Sequence, residues 1–195
     1  MIKSKVSFRL LSFAMILPFL SGCGYNRLVE QDEAIAQQWA QVENAYQRRA
    51  DLIPNLVNTV KGYADFEQET LTRVIEARSR ATSVNVDAEN LSPEVIQNFQ
   101  AAQDQLSSAL SRLLVTVERY PDLKANQNFL ELQAQLEGTE NRIAFERKKF
   151  NDTVGLYNTS VRRFPRNIVA MIFGFDRKGY FEAQEGAEQV PEVQF

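Results

Sequence analysis

Apolar residues along this chain form one unbroken run and then a series of stripes. The run covers Leu11 to Leu20. From Leu28 the residues seven apart read Leu28, Ile35, Val42, Arg49 and Leu56, with Trp39, Tyr46, Ile53 and Val60 as a companion row. Two adjoining rows at this spacing predict a long amphipathic helix with one buried face. Pro54 lies inside it and predicts a bend near Leu52 rather than a stop, because proline lacks a backbone donor and crowds the preceding turn. Gly62 closes the element. Asp65, as an N-cap with Gln68 as its reciprocal partner, opens a shorter helix through Phe66, Leu71, Val74, Ile75 and Arg78. Periodicity is lost over residues 82–91, which read as a loop. Ser92-Pro93-Glu94 then supplies a cap, a proline in the first turn and an acid at the positive helix end. The third helix carries Phe99, Leu106, Leu113 and Tyr120, with Leu110 and Val117 alongside, and Pro121 ends it. The fourth runs from about Leu123 to Val161, with Phe129, Leu136, Ile143, Phe150 and Tyr157 at sevenfold spacing.

The fold class expected is all-α. Short connections between long amphipathic helices favour antiparallel neighbours, hence an up-down-up-down four-helix bundle with a short C-terminal apolar and basic segment. A dimeric coiled coil is the alternative, but most of the helices carry more than a single narrow seam. Eight Gly and six Pro in 195 residues agree with few turns. The length is that of one domain, so residues 23–195 read as one bundle, with 162–195 as its tail.

The first 22 residues read differently. Basic Lys3, Lys5 and Arg9 precede the apolar run, and Leu20-Ser21-Gly22-Cys23 follows it, the order of a secretory signal peptide. The run is half the length a membrane-spanning helix requires and contains Pro18. Leu-Ser-Gly-Cys resembles the bacterial lipobox, so cleavage before Cys23 and acylation of its thiol are expected. That thiol is the only one in the chain, which leaves none for a disulfide. Several acyl chains anchor firmly where one binds marginally. The position after Cys23 is Gly24, not the Asp of inner-membrane retention in enteric bacteria. The expected location is extracytoplasmic and membrane-anchored, on the outer membrane facing the periplasm if the host is Gram-negative.

The net charge of −3 includes three leader cations, so the remaining chain is more acidic still, and bulk electrostatics give it no affinity for nucleic acid. There is no His, which removes imidazole as base or ligand. No catalytic residue, cofactor, metal or small-molecule substrate is expected. Glu43, Asp51, Glu137 and Glu140 bring carboxylates, but di-iron bundles of this kind use Glu-x-x-His pairs. Arg49 interrupts the apolar stripe, where a charge is costly unless paired. The register of an antiparallel bundle sets it opposite Glu140, and an Arg49 to Glu140 ion pair fixing that register is expected.

Residues 162–181 join Arg162, Arg163, Arg166, Arg177 and Lys178 to Phe164, Phe173, Phe175 and other apolar residues, with Asp176 as the one acid. The end of an up-down-up-down bundle returns beside its beginning, so this segment is expected near Cys23. Basic aromatic segments bind anionic lipid surfaces, and Arg162, Arg163, Arg166, Phe173, Phe175, Arg177 and Lys178 are the candidate contacts. Plugging the open end of the bundle with its apolar residues is the competing role.

Tyr25-Asn26-Arg27-Leu28-Val29, Trp39-Ala40-Gln41-Val42-Glu43-Asn44, Arg48 through Val57, Leu123 through Phe129, Glu137 through Ile143, Tyr157-Asn158 and Arg163-Phe164-Pro165 together resemble the LemA family. The resemblance spans roughly residues 25–195. It implies a membrane-attached helical bundle and no particular chemistry, so no site residues follow from it. The lipobox-like start, where the family's usual member has an apolar anchor, is a departure. The function expected is a non-enzymatic, lipid-tethered scaffold that recruits an unidentified protein partner. A self-associating or membrane-shaping surface organiser is the alternative.

Overall fold

The computed structural model describes the backbone of residues 2–63 and 66–182 and the side chains of 24–63 and 66–182. The leader, the Cys23 side chain, Asp65 and residues 183–195 therefore lie outside the described side chains. Among the described residues six helices follow one another: α1 (Ile2–Lys61), α2 (Gln68–Ser83), α3 (Pro93–Val117), α4 (Pro121–Lys124), α5 (Gln127–Arg162) and α6 (Arg166–Phe173). All the regular structure described is helical.

The stripes account for the packing. Leu28, Ile35, Trp39, Val42, Tyr46, Ile53, Leu56 and Val60 of α1 are buried, as are Phe129, Leu136, Ile143, Phe150 and Tyr157 of α5. These two helices pack mainly on each other, and α2 packs mainly on α3. Within the first pair Gln38 meets Glu146, Arg49 meets Glu140 and Tyr63 meets Asn126, so the helices run antiparallel. Within the second, Gln103 reaches the Ala81 carbonyl and Arg119 reaches Glu67, which is again antiparallel. Two apolar clusters result: one from Leu28 to Tyr46 with Phe99, Phe150 and Phe181, the other from Ile53 to Val60 with Leu71, Leu113 and Phe129.

Several boundaries differ from the sequence expectation. The helix expected from Leu28 is the C-terminal part of an α1 that begins at Ile2 and runs unbroken through Pro54. Proline deprives the carbonyl four residues back of its donor. That carbonyl, of Ala50, accepts instead from Arg78 Nε at 2.7 Å, so α2 supplies the missing bond. The N-cap of α2 is Glu67, whose side chain makes no capping bond to the helix backbone, and the helix continues through residue 83 into the stretch expected as loop. Ile75, placed on the apolar face by its spacing, is exposed. The third helix stops at Val117, and Pro121 opens the short α4 rather than merely ending its predecessor. Asn126 then caps α5, accepting from the Phe129 amide at 3.0 Å.

Past α6 the chain turns at Gly174, whose φ of 73° is left-handed and suits a residue without Cβ. Residues 175–182 continue without helix, as a strap across the groove between α3 and α5.

Candidate functional site

Between the two apolar clusters lies a polar layer centred on Arg49, which is 1% exposed. Its Nη1 donates to Glu140 Oε1 and to Ser107 Oγ, each at 2.8 Å. Its Nη2 donates to Gln103 Oε1 at 2.6 Å and to the Gln103 carbonyl at 3.3 Å, and the guanidinium lies 5.1 Å from the Tyr46 ring centre. The planar fork thus meets α3 on one side and α5 on the other, which fixes their register against α1. Glu140 is 42% exposed, so the pair is buried on the arginine side only.

The other carboxylates weighed from the sequence stay apart. Asp51 accepts from Gln47 and Glu137 from Gln133, each within one helical turn. Glu43 lies beside Trp39; partial burial raises its carboxyl above the ordinary value, opposed by the neighbouring polar edge of the indole. Among the described residues no group of three or more Cys, Asp or Glu side chains converges as metal ligands would.

The residues expected to meet lipid gather at the end of the molecule where α1 passes residue 24. A Cβ added at Gly24 would lie 3.5 Å from Val169 and 3.8 Å from Arg166 of α6. The Tyr25 ring lies 4.9 Å from Phe173 and 5.7 Å from Phe175. Phe164, Ile168, Met171, Ile172 and Phe173 are exposed here, Met171 at 79%. Arg162, Arg163 and Arg177 are exposed around them, and Arg166 is half-buried. Two of the expected contacts turn inward. Lys178 pairs with Asp32 at 3.0 Å and donates to the Glu89 carbonyl, because the strap carries it over the α3 end. Phe175 packs half-buried on the first apolar cluster. The segment also plugs the helix end in part, through Ala170 and Phe181, both buried. Among the described residues no helix is long and apolar enough to cross a membrane.

The family model described as LemA family matches residues 38–195, most of the chain and all of α2 to α6. The chain belongs to the LemA family. Protein LemA of Metamycoplasma hominis is 26% identical over 160 residues, covering 82% of this LemA-family chain and 69% of that protein. Magnetosome protein MamQ of Magnetospirillum gryphiswaldense is 25% identical over 181 residues, 84% of this chain and 66% of its own. Magnetosome protein MamQ 2 of Paramagnetospirillum magneticum matches to the same extent. The chain thus spans about two thirds of the length of these curated relatives.

Some polar residues of this LemA-family chain escaped the sequence reading. Gln103 and Ser107 complete the Arg49 layer, and Gln103 carried a legible signal, as a polar residue in the buried row of Phe99, Leu106 and Leu110. Glu146, 1% exposed, is held by Gln38 Nε2 at 2.6 Å and by Arg142 at 2.7 Å. It occupies the same row as Ile143 and Phe150. Asn151 and Asn158, one position past Phe150 and Tyr157, hold the strap.

Proposed function

We propose that this LemA-family chain is a non-enzymatic, lipid-anchored protein of the bacterial envelope. Its four long helices form an up-down-up-down bundle standing on the membrane, and its exposed helical faces serve as a scaffold for a protein partner. The reading rests on one observation. Through Val169, Arg166 and Phe173, α6 packs against Gly24 and Tyr25, directly after Cys23, and its Ile168, Met171 and Ile172 stay exposed. An acyl group on Cys23 would bring that surface to the headgroups, where arginines meet anionic lipid and aromatic rings favour the interface. The lipobox resemblance supports the anchor, and the absence of His supports a role without imidazole chemistry.

The deciding experiment combines intact mass of the membrane-extracted protein with incorporation of labelled palmitate, for the native chain and for Cys23→Ala. Loss of residues 1–22 together with acyl mass that Cys23→Ala lacks supports the reading. A retained leader with an unmodified thiol overturns it. In the Cys23→Ala background, Arg162→Glu with Met171→Asp should lower flotation with anionic vesicles and leave helicity unchanged. Unchanged flotation removes α6 from the contact.

A further inference from the structure

The strap is held to its groove through its backbone. Asn158 Oδ1 accepts from the Lys178 amide at 3.0 Å while its Nδ2 donates to the Lys178 carbonyl at 2.9 Å. Asn151 does the same with the amide and carbonyl of Phe181, at 2.9 and 2.8 Å. Gln100 does so with Glu182, at 2.9 and 3.2 Å. Each side-chain amide thus mimics a neighbouring strand, pairing with both polar groups of one residue and reading no side chain. Asn151 and Asn158 stand two turns apart on α5, a rise of roughly 10.5 Å. Three strap residues cover it, about 3.5 Å each, so the backbone is fully extended.

Specificity enters at two positions. Gly179 donates to the Leu91 carbonyl at 2.8 Å, and a Cβ there would stand 2.8 Å from Pro93 Cα and 3.0 Å from the Ser92 carbonyl, so backbone shuts out any side chain. Phe181 is 4% exposed in a pocket of aromatic rings: Trp39 parallel at 6.1 Å, Phe150 at 5.4 Å and Phe99 at 6.4 Å, with the Arg147 guanidinium 4.9 Å from its ring centre. Between them Tyr180 points outward, nearly half exposed. The groove therefore reads an extended backbone bearing Gly-x-Phe.

We infer that the groove between α3 and α5 is a peptide-binding site, filled in cis by residues 175–182, and that its trans ligand is the strap of a second copy of this chain. A second copy's strap makes every one of these contacts again. Exchange therefore changes only the connection at Gly174, the left-handed cap that joins α6 to the strap. Swapping of identical elements is a low-cost route to association, governed by the effective concentration of the cis segment against that of its rival. The inference does not rest on the lipid anchor.

Two full-length variants test it by complementation. Phe181→Ala keeps the groove and weakens the strap; Asn151→Ala with Asn158→Ala keeps the strap and weakens the groove. The two mixed should sediment as a 1:1 pair, while each alone stays monomeric. The peptide of residues 174–182 should also change and saturate the emission of Trp39, the sole tryptophan, in Phe181→Ala, and bind at least tenfold more weakly when its own Phe is Ala. Folded variants that neither pair nor take the peptide overturn the inference. Should Phe181→Ala fail to fold, the otherwise native chain is cut after Gly174 at an inserted protease site once folded. Uptake of labelled strap peptide supports the site. Refusal of the label, or loss of helicity as the strap leaves, shows the strap to be a fixed part of the fold.

Discussion

Arg49 illustrates how a charge survives inside an apolar stripe. Its guanidinium takes acceptors from α3 and α5 at once, so the donors that burial would strand are nearly all used. The two ends of its ion pair differ in burial, and their deletions should differ accordingly. Arg49→Ala removes a 1%-exposed side chain and strands Gln103, and should cost roughly 3–5 kcal/mol in urea unfolding. Glu140 is partly in water, and Glu140→Gln should cost no more than about 1 kcal/mol. Equal losses would mean that the charge pair, rather than the arginine's full set of bonds, holds the layer.

Two buried phenols make a prediction about pH. Burial raises the Tyr157 hydroxyl well above its ordinary value, and Asp32 and Asp176 push it the same way. Burial also raises Tyr46, against the opposing pull of Arg147 and Arg49. A group whose pKa is higher folded than unfolded binds its proton more tightly in the native state. Its contribution is complete below the ordinary phenol pKa of about 10 and is lost as pH rises beyond it. Alkaline unfolding, followed by circular dichroism, should begin there, and Tyr157→Phe should move the midpoint to higher pH. Glu43 has the same sign: its raised carboxyl favours the fold below the ordinary carboxylate range and loses that preference as pH rises through its folded value.

At the scale of elements, α1 and α2 are coupled by a proline's defect. Pro54 leaves the Ala50 carbonyl without an intrahelical donor, and Arg78 fills the place from α2. Arg78→Met should therefore cost about 1–3 kcal/mol, the usual cost of a stranded backbone acceptor. In a Pro54→Ala chain the helix regains its own donor, and the same change should cost at least 1 kcal/mol less. Independent effects in the double-mutant cycle would show the Arg78 bond to be incidental. The periodic rows placed these helices well, as the buried residues of α1 and α5 attest, because seven-residue recurrence reports directly on one buried face. Ends were less legible. The Asp65 and Gln68 pairing had the pattern of a reciprocal cap, whereas Glu67 precedes α2 without a capping bond from its side chain, since caps depend on local backbone angles that the pattern does not record.

Across the whole molecule, cohesion is unevenly distributed. The α1 and α5 pair contributes most of the first apolar cluster and carries both α6 and the strap, whereas α2 and α3 pack chiefly on each other. Local opening follows such differences in packing. Native-state hydrogen exchange should therefore find α2 and α3 amides opening at lower free energy than those of α1 and α5 around Trp39 and Phe150. Uniform protection would show the four helices to be one cooperative unit.

The sequence by itself determined the helical class, the rows that become the core, the opposition of Arg49 and Glu140, and the return of the basic and aromatic segment beside residue 24. All of these follow from periodicity, from the cost of burying charge and from antiparallel register, which are legible along a single chain. Tertiary structure decided the rest. Lys178 turned from expected lipid contact to partner of Asp32, Arg78 repaired the break at Pro54, and Gln100, Asn151 and Asn158 became a ladder for an extended strap. In each case one group answers a backbone or a charge far away in sequence, and no local pattern encodes such a pairing until the helices have set the distance between them.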